Sequence, residues 1–278
     1  MTDPSLIEKA ETLRALHHGD QPLVLPNVWD IGTAIIAQEE GFPAIATTSA
    51  GVAFALGLPD GEAISREEMI AVVGAIAARV DVPVTADMEA GYGDAPEDCA
   101  ATTRATIAAG AVGLNLEDGI DHAQGTVYDF DLAVERIQAA RAAADETGVP
   151  VVINARSDIY FSQSLAREEK TVEAVRRCNA YLDAGADSTF IIGPGVPNDI
   201  PELVREINGP LNIVAGFSTQ TVDELAALGV KRISLGGMLS RAALGYYRDT
   251  LKQIKETGRL DYSDIAIPHG DLNKLFAG

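Results

Sequence analysis

The chain has 278 residues, 47% of them hydrophobic and only 5% aromatic, with a formal net charge of −20. This length suits one α/β barrel of about 250 residues, and the composition gives it a large aliphatic core. So acidic a surface argues against nucleic acid and anionic membranes as partners, and no run of about 18 apolar residues is there to span a bilayer.

In chain order, the start, Met1-Thr2-Asp3-Pro4, is polar and acidic and lacks the basic and apolar regions of a signal peptide, so a cytoplasmic protein is expected. The first apolar run, 23–28, ends at Trp29-Asp30 and leads into a helix over 31–40. A strand at 44–49 is followed by a long loop carrying Asp60 and by a helix at 65–79, where Ser65 and Glu68 have capping-box spacing. The next pairs are strand 82–88 with helix 96–109, strand 111–117 with helix 129–147, and strand 151–156 with helix 168–184. Strand 188–193 with helix 199–207, strand 211–215 with helix 219–228, and strand 232–236 with helix 238–256 complete the series. The strands are short and rich in Val, Ile and Leu, as in parallel sheets covered on both faces. Gly110, Gly148, Gly185 and Gly229 each follow a helix, where a left-handed residue ends it.

Eight such units without a long linker predict one (β/α)8 TIM barrel over 1–278, with a helical C-terminal tail. A doubly wound open sheet is the rival, but it usually carries a glycine-rich loop after its first strand, and Pro26-Asn27-Val28-Trp29-Asp30 is not one. Cys99 and Cys178 fall in separate helices with no Cys/His cluster, which argues for reduced thiols and against a zinc site.

Chemistry in a barrel belongs at the C-terminal ends of the strands. There Asp60, Asp87, Glu89, Glu117 and Asp118 gather on one half of the rim. Packed carboxylates repel unless a cation sits among them, and oxygen donors suit Mg2+, with Mn2+ also possible. Arg156, on the neighbouring strand, is placed to hold a substrate carboxylate in bidentate fashion. One strand-end acid by itself more often caps the next helix; five acids and an arginine on adjacent strand ends do not read that way.

The run Asp87-x-Glu89-Ala90-Gly91-Tyr92-Gly93 resembles a segment of the isocitrate lyase/phosphoenolpyruvate mutase superfamily, and Leu56-Gly57-Leu58-Pro59-Asp60, Leu116-Glu117-Asp118 and Ala155-Arg156-Ser157-Asp158 match further segments in the same order. The resemblance covers roughly residues 10–245. It implies a Mg2+-dependent barrel that makes or breaks a C–C or P–C bond beside a 2-oxo acid or its enolate. It implies that Asp87 approaches the metal most directly, that Asp60, Glu89 and Glu117 hold its waters, and that Thr48, Ser49 and Ala50 form the turn receiving the substrate carboxylate. Arg156 matches the arginine that anchors the ligand. The resemblance further implies a homo-oligomer, dimer or tetramer, that exchanges its last barrel helix, here 238–256.

The loop after the fourth strand departs from the family pattern. It reads Gly119-Ile120-Asp121-His122-Ala123-Gln124-Gly125, without the Lys-Lys-Cys-Gly-His run of the isocitrate-type lyases and without the lysine and asparagine of the mutases. Asp-x-Glu stands in place of Asp-x-Asp, and Ala46 in place of an aromatic residue. His122 is then the loop group with a pKa range suited to acid catalysis, and an exposed loop histidine is its plainer reading. Tyr92 is a second proton donor in reach, or a packing residue; Trp29 walls the pocket or packs at the rim.

Other barrel chemistries find less support. A Schiff-base enzyme needs a strand-end lysine, and only Lys231 touches a strand, at its entering end. Gly193, Gly195, Gly216, Gly236 and Gly237 allow a phosphate site after the later strands, but basic residues are scarce there. The expectation is a lyase or hydrolase of a small, oxaloacetate-like 2-oxo dicarboxylate. The alternatives are a P–C bond mutase or hydrolase acting on a phosphonopyruvate-like substrate, and a 2-oxo acid binding protein without turnover.

Overall fold

The computed structural model describes residues 4–121, 123–217, 219–261 and 265–277. Helix α1 (Pro4–Leu16) leads into β1 (Leu23–Leu25) and β2 (Asn27–Val28), then α2 (Ile31–Glu39), β3 (Ile45–Thr47), α3 (Ser49–Ala55) and α4 (Arg66–Ala77). Next come β4 (Val84–Asp87), α5 (Pro96–Ala108), β5 (Gly113–Glu117), a hairpin of β6 (Gly119–Asp121) and β7 (Thr126–Val127), and α6 (Phe130–Thr147). They are followed by β8 (Val152–Ser157), a 3-10 turn (Ile159–Phe161), α7 (Arg167–Asp183), β9 (Ser188–Ile191) and α8 (Val196–Glu206). The chain finishes with β10 (Leu211–Val214), α9 (Val222–Ala227), β11 (Arg232–Ser234), α10 (Met238–Thr257) and α11 (His269–Phe276).

The main sheet runs β1-β11-β10-β9-β8-β5-β4-β3-β2, and its pairings are parallel. β1 and β2 are the two halves of the predicted strand 23–28, parted at Pro26, which has no N–H to give to a ladder. One half pairs with β11 and the other with β3, so the sheet closes on itself. This is the (β/α)8 barrel expected from the sequence. Leu25, Ile45, Leu114 and Ile153 belong to one apolar cluster, and Ile191, Ile200, Ile213 and Ile233 to a second.

Three departures bear on the site. Strand 44–49 stops at Thr47, because buried Thr48 accepts the Gly51 N–H at 3.3 Å as N-cap of α3. Helix α1, not expected from the sequence, buries Ala10 and Leu13 against the N-terminal end of the barrel and brings His17 to Arg232 on β11, 3.3 Å away. On α10 only Ser240 is buried, while Leu239, Leu244, Tyr247 and Leu251 stay exposed; α11 returns to pack on α2. Among the described residues no helix is long and apolar enough to cross a membrane.

Candidate active site

Strand register builds the site. Asp87 on β4 lies level with Asn115 on β5, Asn115 with Asn154 on β8, and Asn154 with Ser188 on β9. Their side chains join around the barrel interior. The Ser188 hydroxyl donates to Asn154 Oδ1 (2.7 Å), Asn154 Nδ2 to Asn115 Oδ1 (2.8 Å), and Asn115 Nδ2 to Asp87 Oδ1 (3.3 Å). Two residues further toward the mouth, Glu117, Arg156 and Phe190 form the next level. Two residues along a strand return to the same face, so polar pairs such as Asn115/Glu117 and Asn154/Arg156 point inward together.

A cavity of about 530 Å³ opens above this level, lined by Thr48, Ser49, Ala50, Asp60, Asp87 and Arg156 among others. Asp87 Oδ2 accepts both the Ser49 N–H (3.0 Å) and the Ser49 hydroxyl (2.9 Å), which joins the turn after β3 to the acid at the end of β4. Arg156 is mostly buried, with 11% of its side chain exposed, and held on two sides. Its Nη1 meets Glu117 Oε2 at 2.6 Å, and its Nε and Nη2 grip the Asp158 carboxylate at 2.6 and 2.9 Å. Burial works against its charge, but Asp158 and Glu117 more than offset that and hold its pKa above the ordinary arginine value.

The acids behave as one crowded set. Burial, then the charges of Asp87, Asp60 and Glu117, push the Glu89 carboxyl up to about 8. Burial and Asp87 also raise Asp60, against hydrogen bonds from Ser49 and Gly61. Glu89 sits in a left-handed backbone conformation at φ 49° and accepts the Glu62 N–H, while Glu62 Oε1 accepts the Tyr92 N–H at 2.8 Å. The loop after β3 is thereby tied to the loop after β4. Strained backbone held by such ties is typical of functional loops. Among the described residues no three Asp, Glu, His or Cys side chains converge on one point as a ready-made cage. The donor set nonetheless fits a hard dication. It is all oxygen, and its like charges raise one another, a repulsion that a cation held by one direct carboxylate and several waters relieves.

Other expected residues lie elsewhere. Trp29 lines a separate apolar groove with Ile31, Val52, Leu56 and Ile76 rather than the barrel mouth. Tyr92 packs against the apolar core, and its buried hydroxyl has no partner. Glu89 and Glu117 are not among the residues lining the cavity; Glu117 is joined to it through Arg156, and Glu89 is bound to the Glu62 N–H. His122 lies outside the described residues. Asp118 turns away from the mouth. Its Oδ2 takes the Tyr181 hydroxyl (2.6 Å) and Arg177 (3.1 Å), and its Oδ1 takes the Asp158 N–H (2.8 Å). It therefore buttresses the strand that carries Arg156.

The profile of the family described as phosphoenolpyruvate phosphomutase matches residues 13–255. The chain belongs to that family. A crystal structure from Burkholderia cenocepacia J2315, of a protein ascribed to the lyase/mutase class, superposes with a TM-score of 0.92 at 38% identity, covering 99% of this chain and 98% of that one. Oxaloacetate acetylhydrolase, solved with its product oxalate, gives a TM-score of 0.85 at 29% identity over 97% of this chain and 94% of its own. Phosphonopyruvate hydrolase, solved with oxalate and Mg2+, gives 0.84 at 27% over 97% and 95%. These members of the phosphoenolpyruvate phosphomutase family and its relatives are enzymes of differing chemistry on one barrel.

Sequence reasoning missed several cavity residues. Asn27, whose Oδ1 accepts the N–H groups of Leu235 and Gly236 at 2.8 Å each, lies just past the break at Pro26. Asn115 was visible by its two-residue spacing from Glu117. Phe54, Phe161, Phe190 and Phe217, four of the chain's seven phenylalanines, wall the cavity. They come from four separate segments, and no local pattern marks them. Arg241 also lines the cavity, although it belongs to a helix.

Proposed function

We propose that this chain is a Mg2+-dependent lyase or hydrolase that cleaves a C–C bond next to the 2-oxo group of a small 2-oxo dicarboxylate such as oxaloacetate, by way of an enolate. The observation that carries this reading is the facing of Asp87, with Ser49 on it, and the clamped Arg156 across one cavity. Asp87 would hold Mg2+ or Mn2+ directly, and Asp60, Glu89 and Glu117 through waters. The ion supplies a Lewis acid for the charge that collects on the 2-oxo oxygen as the bond breaks.

The remaining work falls to the chain itself. The Thr48–Ala50 turn would receive the carboxylate of the 2-oxo head, with the Ser49 N–H and hydroxyl exchanging Asp87 Oδ2 for the ligand. Arg156 cannot swing, because Glu117 and Asp158 fix its plane, so it would orient the ligand from one set direction. The phenylalanine wall keeps bulk water from the reacting carbon and strengthens each polar contact inside. The similar proteins that act on oxaloacetate and phosphonopyruvate and hold oxalate support this choice of ligand.

Oxaloacetate turnover with Mg2+ and with EDTA, together with oxalate titration of the wild type and Asp87→Ala, tests the proposal. Turnover that stops with EDTA and oxalate binding lost in Asp87→Ala are expected; turnover indifferent to EDTA, or unchanged binding, overturns it. Parallel assays with phosphonopyruvate separate C–C from P–C cleavage.

The apolar side chains left exposed along α10, and the groove of about 430 Å³ walled by Trp29, Val52 and Leu56, support a homo-oligomer in which α10 is covered by a second copy. Sedimentation equilibrium checks this: a monomer at micromolar concentration refutes it. Free, buried Cys99 and Cys178 support a reducing, cytoplasmic setting.

A further inference from the structure

We infer that Arg241, on the first turn of α10, recognises a second anionic group of the substrate, a carboxylate or phosphonate distal to the 2-oxo acid head. The inference rests on the function proposed above and assigns the residue that sets its substrate class.

Charge placement within the cavity carries the argument. Among its described lining residues the only basic ones are Arg156 and Arg241, and the acids are Asp60 and Asp87. Arg156 is already neutralised by two carboxylates, Glu117 and Asp158. Arg241 has no carboxylate partner among the described residues; its Nη1 approaches only the Met238 thioether, at 3.7 Å, a weak acceptor. An arginine without a counter-ion, beside a cavity that also holds two acids, is a ready receptor for an anion and for no cation.

The residue is also well anchored at its base. The loop from β11 into α10 packs on the turn that receives the substrate head: a Cβ added at Gly237 would lie 3.2 Å from Ala50 Cβ, and one added at Gly51 would lie 3.3 Å from Ser240 Cβ. Asn27 fixes the same loop through Leu235 and Gly236, and the Arg241 N–H donates to Gly237 O at 3.1 Å. The backbone of Arg241 therefore stands at a set place on the rim, and its exposed side chain reaches the cavity that Phe217 also lines, the Phe217 ring meeting Phe161 edge-on at 6.4 Å. Apolar walls concentrate the field of one unpaired charge. Asp60 and Asp87 repel the distal anion of a bound diacid, and Arg241 attracts it, so the substrate is held in one direction.

The test compares pyruvate, oxaloacetate and phosphonopyruvate, which share the 2-oxo acid head and differ in the distal group, with oxalate, which stands in for the enolate of that head. On the full-length, Mg2+-loaded protein, KM and kcat for oxaloacetate are measured, with dissociation constants for pyruvate, oxalate and phosphonopyruvate, in the wild type, Arg241→Gln and Arg241→Lys. Arg241→Gln is expected to weaken the preferred diacid, oxaloacetate or phosphonopyruvate, by about tenfold or more, as loss of a charge-assisted hydrogen bond does. Pyruvate and oxalate should change less than about twofold, and Arg241→Lys should recover most of the loss. Which diacid responds tells whether the distal group is a carboxylate or a phosphonate. Equal weakening of pyruvate and oxalate, or no weakening of either diacid, overturns the inference while leaving the functional proposal standing. Failure of the wild type to bind any of the four ligands overturns the functional proposal, and this inference with it.

Discussion

Glu117 and Arg156 lie level with each other on the parallel strands β5 and β8, and their side chains meet at 2.6 Å. Register alone therefore delivers the acid and the base to the same height of the barrel, and Asp158, two residues on, closes the clamp from the other side. A guanidinium locked by two carboxylates loses little freedom when it orients a ligand.

Lysine cannot reproduce this fork. Arg156→Lys keeps the charge but loses the two-point grip on Asp158, so kcat/KM for the preferred substrate should fall by about a hundredfold, near 3 kcal/mol of transition-state stabilisation. Steady-state kinetics beside a thermal melt checks this; activity within about threefold of wild type would refute the clamp.

Tyr181 and Arg177 hold Asp118 beneath that clamp. Tyr181→Phe removes one donor from a fully buried carboxylate and should cost about 1–3 kcal/mol of stability. Because Asp118 faces away from the cavity, kcat should stay within about threefold. Urea unfolding and kinetics on the same preparation separate the two effects, and a large kcat loss at unchanged stability would contradict the placement.

Gly93 sits at φ 151°, and a Cβ there would lie 2.3 Å from the Asp98 carboxyl, the group that accepts the Ala95 N–H at the start of α5. Gly93→Ala should displace this cap and strain the backbone, lowering stability by about 2 kcal/mol or more. The melting temperature, expected to drop by about 4 °C or more, reads this directly.

His17 is buried between the Leu13 carbonyl, 2.7 Å from Nδ1, and Arg232. Burial first, then the Arg232 charge, lower its pKa from 6.5 to about 3. The unfolded chain thus takes up a proton below about pH 6.5 that the native state refuses. The stability associated with neutral His17 is complete above that pH and is lost progressively as pH falls toward 3. His17→Gln should remove this dependence, so the wild type should lose about 2 kcal/mol more than the variant between about pH 7.5 and about pH 5. Equal losses in denaturant titrations at the two pH values would show that His17 titrates normally.

The order of the eight units, the closed barrel and the strand ends bearing Asp87, Glu117 and Arg156 were legible because hydrophobic period, helix caps and glycine stops are local signals. Helix α1 escaped because its pattern is weakly amphipathic. Asp118 shows the limit most sharply. It follows Glu117 in the chain, yet alternation turns it to the opposite face, where Tyr181 and Arg177 from a later helix take it up.

The sequence by itself determined at which end of the barrel Asp87, Glu117 and Arg156 stand, since strand direction and period are written in neighbouring residues. Only the tertiary structure decided which of them share a cavity. It brought Arg241 and four scattered phenylalanines to the mouth and sent Trp29 to another groove, because the curvature of a closed sheet sets distances between segments far apart in the chain, and no local pattern encodes that curvature.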